Sequence, residues 1–284
     1  MRDGRYRLRG VDAFACLALI VSWAGQAFAL SVHNTNPVVR QTLAPGDVVQ
    51  GSIELVNDGN QPVEVKAYLE DWRYASSGDG SKEFAPPQTM PRSCAGWISF
   101  YPQTIGLPPS ERTSVEYTIR VPQDQPLEGG YYAVLFFEAA LAEAPAEPPG
   151  SEVGADTHEA VVKFAARLGS LFLVDVKGTV RREARLSSAK VTPPSVAHPI
   201  KLEAVLANEG NVSLSCTNSY HIMGPDNVVV DRGELSALYL WPGDKAGLAA
   251  EASALLGTGT YQVVITSDCG EELIIAEETQ LSVP

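Results

Sequence analysis

The sequence predicts an all-β chain of two sandwich domains behind a cleavable leader, and three observations predict it. Strict apolar/polar alternation recurs along the chain, no segment of ten or more residues carries a convincing amphipathic helical period, and one order of turn signals occurs twice. With 284 residues, 45% hydrophobic and 19% charged, the chain has the composition of one or two globular domains able to bury a core.

The leader comes first in the chain. Arg2, Arg5, Arg7 and Arg9 form a basic front, an apolar run extends from about Val11 to Ala24, and Ala27-Phe28-Ala29 supplies the small residues of a cleavage site. Residues 1–29 are therefore expected to be a Sec-type signal peptide cut after Ala29. The run is short for a membrane span, and Cys16 lies inside it rather than after it, unlike a lipoprotein signal. The expected location is periplasmic or secreted. No second apolar run reaches membrane length, so the mature chain is expected to have no integral membrane segment.

Without the leader, 17 basic side chains face 32 acidic ones, which disfavours nucleic acid and anionic membrane surfaces as partners. Three cysteines remain after cleavage: Cys94, Cys216 and Cys269. An exported chain permits a disulfide, and Cys216 with Cys269 is the preferred pair because both fall in the same half, leaving Cys94 as a buried free thiol.

The strands follow in order. Val63, Val65, Ala67 and Leu69 alternate with polar residues after the turn Asn57-Asp58-Gly59-Asn60. Val115, Tyr117, Ile119 and Val121 do the same. Ile200, Leu202, Ala204 and Leu206 precede a second such turn, Asn208-Glu209-Gly210-Asn211. The first half then shows Leu107-Pro108-Pro109-Ser110 and Gly129-Gly130-Tyr131. The second shows Leu240-Trp241-Pro242-Gly243 and Gly259-Thr260-Tyr261 in the same order. This arrangement suits two seven-stranded Ig-like β-sandwich domains, in which a Tyr near the start of a central strand can cap a corner. In "EGGYYAVLFF" the glycines make the turn and the aromatic run is expected to be a central strand buried on both faces. The domains are expected at 30–178 and 179–284, joined by the polar run Lys177 to Arg185. Residues 142–158, rich in Pro, Ala and acid, and residues 75–93, rich in Ser, Gly and Pro, are expected to be long loops.

Between about 35 and 176 the order of elements resembles the N-terminal domain of periplasmic pilus-assembly (PapD-like) chaperones and their Ig-like relatives. The pattern comprises an early strand with a basic residue, a Pro-Gly turn, an Asn-containing turn, a Trp-containing strand, a Leu-Pro turn, a strand ending in Val-Pro and a Gly-x-Tyr strand. The resemblance implies donation of an exposed strand to an incomplete client subunit, the backbone pairing with its open sheet and alternate side chains filling its groove. Val162, Phe164, Ala166 and Leu168, alternating with Val161, Lys163, Ala165 and Arg167, form the matching segment. The same alternation is also what an ordinary sandwich strand with one face in the core would show. The resemblance further implies two cleft bases that hold a client's terminal carboxylate. Arg40 lies on the right strand for one. With Leu171-Phe172 setting the register, the second position falls on Ser170, so only Lys163 or Arg167, after a shift or bulge, could replace it.

The sequence points to no catalysis, metal or cofactor. His33, His158, His198 and His221 are scattered, and neither HExxH, a Gly-x-Ser-x-Gly elbow nor a P-loop occurs. Glu70-Asp71-Trp72 is the one stretch that suits a sugar cleft, although Trp72 and Trp97 fit sandwich cores better. Asp79-Gly80 and Asp226-Asn227 read as turns, since calcium loops need more oxygens. The expected activity is chaperone-like binding of a pilus-type or surface subunit. The alternative is a structural or adhesive Ig-like envelope module that binds cell-wall polymer or a neighbouring envelope protein without donating a strand.

Overall fold

Alternating β-branched and aromatic residues leave the chain little choice but strands, and the computed structural model, which describes residues 31–141, 165–195 and 198–284, contains seventeen. The first ten are β1 (Val32–Asn34), β2 (Val38–Leu43), β3 (Val48–Asn57), β4 (Val63–Tyr74), β5 (Lys82–Ala85), β6 (Ile98–Tyr101), β7 (Thr104–Leu107), β8 (Arg112–Arg120), β9 (Gly130–Leu141) and β10 (Ala165–Val176). The rest are β11 (Ala184–Thr192), β12 (Ile200–Asn208), β13 (Leu214–Met223), β14 (Val229–Leu240), β15 (Lys245–Ala252), β16 (Gly259–Asp268) and β17 (Ile274–Val283). One 3₁₀ turn, Ala95–Trp97, is the only helical element among the described residues, and none of their helices is long and apolar enough to cross a membrane. The expected leader, Cys16 and the stretch 142–158 lie outside the described residues.

Two Ig-like sandwiches result. In the first, the sheet β1-β3-β8-β6 faces the sheet β2-β10-β9-β4-β5, with β7 also on β4. In the second, β11-β12-β15 faces β14-β13-β16-β17. The alternating sets predicted from the sequence turn inward. Val63, Val65, Ala67, Val115, Tyr117, Ile119 and Val121 join the first core, while Ile200, Leu202, Ala204 and Leu206 join the second. The stretch 75–93 is not wholly loop: β5 lies within it and pairs with β4 from Asp71↔Ala85 to Tyr74↔Lys82, a hairpin that the Gly- and Ser-rich composition hid. The remainder of that stretch is organised by Asp71. Its buried carboxylate accepts hydrogen bonds from the amides of Gln88, Thr89 and Met90 and from the Ser93 hydroxyl, so Asp71 is a structural hub and not the acid of a sugar cleft.

The repeated turns are equivalent in three dimensions. Asn57 is fully buried; its Nδ2 donates to the carbonyls of Gln61, Leu107 and Pro108, and its Oδ1 accepts from Gly59 N. Asn208, also buried, donates from Nδ2 to the carbonyls of Val212 and Leu240 and accepts at Oδ1 from Gly210 N. Each side chain pins its own turn to the Leu-Pro or Leu-Trp-Pro turn of the same sandwich. The tyrosines diverge. Tyr261 donates to Gly257 O at 3.0 Å, the corner contact expected of such a residue, whereas Tyr131 stacks against Trp97.

Cys216 and Cys269 form a disulfide and Cys94 is free and buried. Burial, reinforced by the nearby Asp71 carboxylate, pushes the Cys94 thiol far above its ordinary range. The thiolate that attacks thiol reagents is therefore suppressed. Ellman's reagent at pH 8 should leave Cys94 unmodified in the native chain produced without residues 1–29, and titrate one thiol after its denaturation without reductant.

Candidate functional site

β9 is the middle of the larger sheet, hydrogen-bonded to β4 on one side and β10 on the other. Its odd residues Ala133, Leu135 and Phe137 enter the first core. Tyr132, Val134 and Phe136 emerge on the opposite face and join Trp72, Leu173 and, from the second sandwich, Trp241. The aromatic strand is thus buried on both faces, and the second burial is supplied by the neighbouring domain. Tyr132 and Trp241 have ring centroids 4.2 Å apart, and the Tyr132 hydroxyl accepts a 2.7 Å hydrogen bond from Ser213 N.

Other contacts tie the same junction. Arg73 pairs with Asp244 at 3.0 Å, Gly78 O accepts from Tyr239 N at the tip of the β4–β5 hairpin, and Gly130 N donates to Asn211 O. Asn211, the last residue of the second repeated turn, also takes the Arg181 amide on its Oδ1 and gives its Nδ2 to Thr179 O.

β10 carries the candidate edge. It pairs with β9 along its length, from Ala165↔Ala140 to Asp175↔Gly130, but β2 covers its other edge only from Leu171↔Val38 to Val176↔Leu43. Just before that ladder, Asn34 Nδ2 donates to Gly169 O and to Ser170 Oγ, and the Ser170 hydroxyl donates to Asn36 O. Ser170, at the position where the resemblance implies a base, is a fully buried hydroxyl that clips the β1–β2 connection to β10. From Ala165 to Leu168, no described residue forms a ladder on the outer edge.

The side chains named from the sequence divide here. Val162, Lys163 and Phe164 lie outside the described residues. Leu168 is half-buried and packs on the first core, on the same face as Phe172. Arg167 projects from the other face. Its guanidinium lies 3.5 Å from the Phe136 ring centroid, with Tyr68 and Phe84 each at 5.5 Å, and it pairs with Glu70 at 2.5 Å. Arg167 is thus already committed within the chain.

Arg40 is exposed on β2 opposite Leu173, hence on the sheet face shared with the interdomain aromatics. Near it are Tyr74, whose hydroxyl pKa is raised by burial against the opposing pull of Arg40, and Asp175, raised by burial and lowered by Arg182. Arg182 bridges Asp175 and Glu271, each at 3.1 Å. Sequence reasoning passed over Arg182 as part of a polar joint; Asp175 lies only seven residues before it, but the place of Glu271 beside it leaves no local signal. Trp241 was visible only as a marker of the repeat. Among the described residues no three His, Cys, Asp or Glu side chains gather as a metal group. A polar groove of about 460 Å³ lies at the far tip of the second sandwich, lined by Pro225, Asn227, Tyr261 and Glu278 among others.

No family model matches the sequence, and no curated protein matches it. Among solved structures, the chain is similar to the class 5 fimbriae chaperone CfaA, at 13% identity and a TM-score of 0.46, over 89% of this chain and 100% of that one. It is similar to the SafB chaperone solved in complex with Salmonella enterica SafA pilin, at 12% identity and a TM-score of 0.42, over 90% and 98%. The chaperone–tip adhesion subunit complex CsuC–CsuE of Acinetobacter baumannii also matches, at 12% identity and a TM-score of 0.43, over 88% and 97%, so that the structures this chain is similar to include several fimbrial chaperones.

Proposed function

We propose that the protein is an exported, non-catalytic binding protein, with units at 30–178 and 179–284, that lends the leading part of β10 and the segment before it to the open sheet of a pilus-type or surface subunit. The ladder of β10 carries the reading. The β2 ladder stops at Val38 opposite Leu171, so the backbone from Ala165 to Leu168 keeps one unpaired edge, a hazard that sandwiches otherwise blunt. A client strand satisfies those groups by augmentation. On this reading Val162, Phe164 and Leu168 supply the alternate side chains. Arg40, exposed on the cleft face, takes the client's terminal carboxylate, because Arg167 would first have to leave Glu70 and Phe136.

The test is recovery of the native protein from a periplasmic extract beside a Phe164→Asp variant shown by circular dichroism to be folded, with bound proteins identified by mass spectrometry. A stoichiometric β-rich partner is expected, bound at least about tenfold more weakly by the variant, since an apolar side chain of this size contributes about 1.5–3 kcal/mol on burial. Arg40→Ala should weaken the same partner by about tenfold, the order of one charge-assisted hydrogen bond. Absence of a partner, or a partner indifferent to Phe164→Asp, would instead identify a structural or adhesive envelope module, with polymer binding as the next assay.

A further inference from the structure

The β4–β5 hairpin reaches out of its own sheet. β4 pairs with β9 only as far as Glu70↔Val134, and from Asp71 to Tyr74 its one ladder is with β5. The turn beyond is tied within itself. Ala75 N donates to Ser81 O and Gly78 N to Ala75 O, while the exposed Asp79 carboxylate accepts from the Ser77 hydroxyl and Ser81 N, bonds that lower its pKa to about 2. The hairpin therefore keeps its shape as a unit up to its tip.

That tip is seated on the second sandwich. Gly78 is buried, its carbonyl accepts from Tyr239 N at 2.9 Å, and a Cβ on it would stand 2.8 Å from the Ala246 Cβ and 3.2 Å from Leu238 Cδ2. Leu238 and Ala246 belong to β14 and β15, the edge strands of the two facing sheets, and both lie in the second core. The tip thus closes a seam of the neighbouring domain where two strand edges would otherwise lie open. Contacts lead to it in a row from the covalent crossing. Gly130 meets Asn211 there, Tyr132 then stacks on Trp241, Trp241 meets Trp72, Trp72 meets Tyr74, and Tyr74 meets Tyr239 at 5.3 Å beside the tip. Two domains joined by one crossing move about it by default, and the contact furthest along the row acts on that motion with the longest arm.

We propose that the β4–β5 hairpin is a strap that fixes the angle between the two sandwiches, and with it the opening of the cleft face on which Arg40 stands. Tyr74, within electrostatic reach of Arg40, places the base of the strap beside that residue. The strap consists wholly of contacts within the chain, so it holds whatever β10 binds.

Double electron–electron resonance between spin labels on Ser114→Cys and Glu203→Cys, exposed positions in the first and second sandwiches, reads the angle in the chain produced without residues 1–29. Cys94, buried and suppressed as a thiolate, should take no label. With the hairpin intact the distance distribution should be single and narrow. Replacing residues 76–80 by Asn-Gly, a pair that closes a two-residue hairpin, removes the seat and keeps β4 paired with β5. The distribution should then broaden at least about twofold with the far-ultraviolet circular dichroism unchanged, since small interdomain interfaces permit relative motion. Gly78→Asp makes the same test at full length. Aspartate tolerates the left-handed φ of +73 better than most residues, and its carboxylate would be forced against Leu238, Leu240 and Ala246. A broad distribution in the native chain overturns the proposal, and so does one that stays narrow in either folded variant.

Discussion

Gly129→Ala should destabilise the protein by about 3–4 kcal/mol and loosen the junction between the sandwiches. Gly129 has φ +70, and a Cβ there would lie 2.3 Å from Asn211 O, a backbone atom that is itself held by the ladder of turns around Thr179 and Arg181. The left-handed conformation alone costs a β-carbon residue about 1–2 kcal/mol. Relief of the contact requires the second sandwich to withdraw, which breaks Gly130 N to Asn211 O and Gly129 N to Thr179 Oγ1, each worth about 1 kcal/mol. Urea unfolding followed by tryptophan emission and by far-ultraviolet circular dichroism is the measurement. In the native chain the two probes should report the same transition. In the variant, emission from Trp72 and Trp241, whose rings meet edge to face across the junction, should change at lower denaturant than the backbone signal. Coincident, unshifted transitions would show that the junction tolerates the methyl group.

Asn57→Ala and Asn208→Ala should each cost about 3–5 kcal/mol, since each strands several buried or part-buried polar groups, the buried ones at about 1–3 kcal/mol apiece. The reasoning is the same at both sites. Truncation leaves the carbonyls of Gln61, Leu107 and Pro108 without the Nδ2 donor in one case, and those of Val212 and Leu240 in the other; Gly59 N and Gly210 N lose their acceptor. Aspartate is no rescue, because a carboxylate would accept from the glycine amide while facing the carbonyls with no donor. Differential scanning calorimetry should show each variant lowering the transition temperature of the chain. A drop of about 1 kcal/mol or less at either position, the worth of a single ordinary hydrogen bond, would mean that water replaces the side chain there.

These two cases also mark how far the sequence reads. Asn57 and Asn208 were found as members of one repeated turn, because turn chemistry is local: an Asn followed two positions later by Gly forms its own hydrogen bond whatever surrounds it. The strands were legible for a similar reason, since a period of two needs only neighbours along the chain. The hairpin of β5 was missed because Lys82 to Ala85 offers four residues, mostly exposed, and its pairing depends on β4 extending past the sheet toward the second sandwich.

The candidate edge was half legible. The alternation from Val162 to Leu168 named the segment, but whether an edge is free is decided by where another strand stops, and β2 stops at Val38 opposite Leu171 for reasons that lie in Asn34, Asn36 and Ser170. Arg167 looked like an available cation, and only the fold puts Glu70 and Phe136 against it. By itself the sequence determined the all-β class, the two repeated modules and the inward faces of the alternating strands, and it made Cys216 with Cys269 the preferred pair that the structure bears out. The tertiary structure alone decided which aromatic faces meet across the junction, which cations are spent and which edges stay open, because burial and pairing between distant strands are properties of surfaces that no local stretch of chain contains.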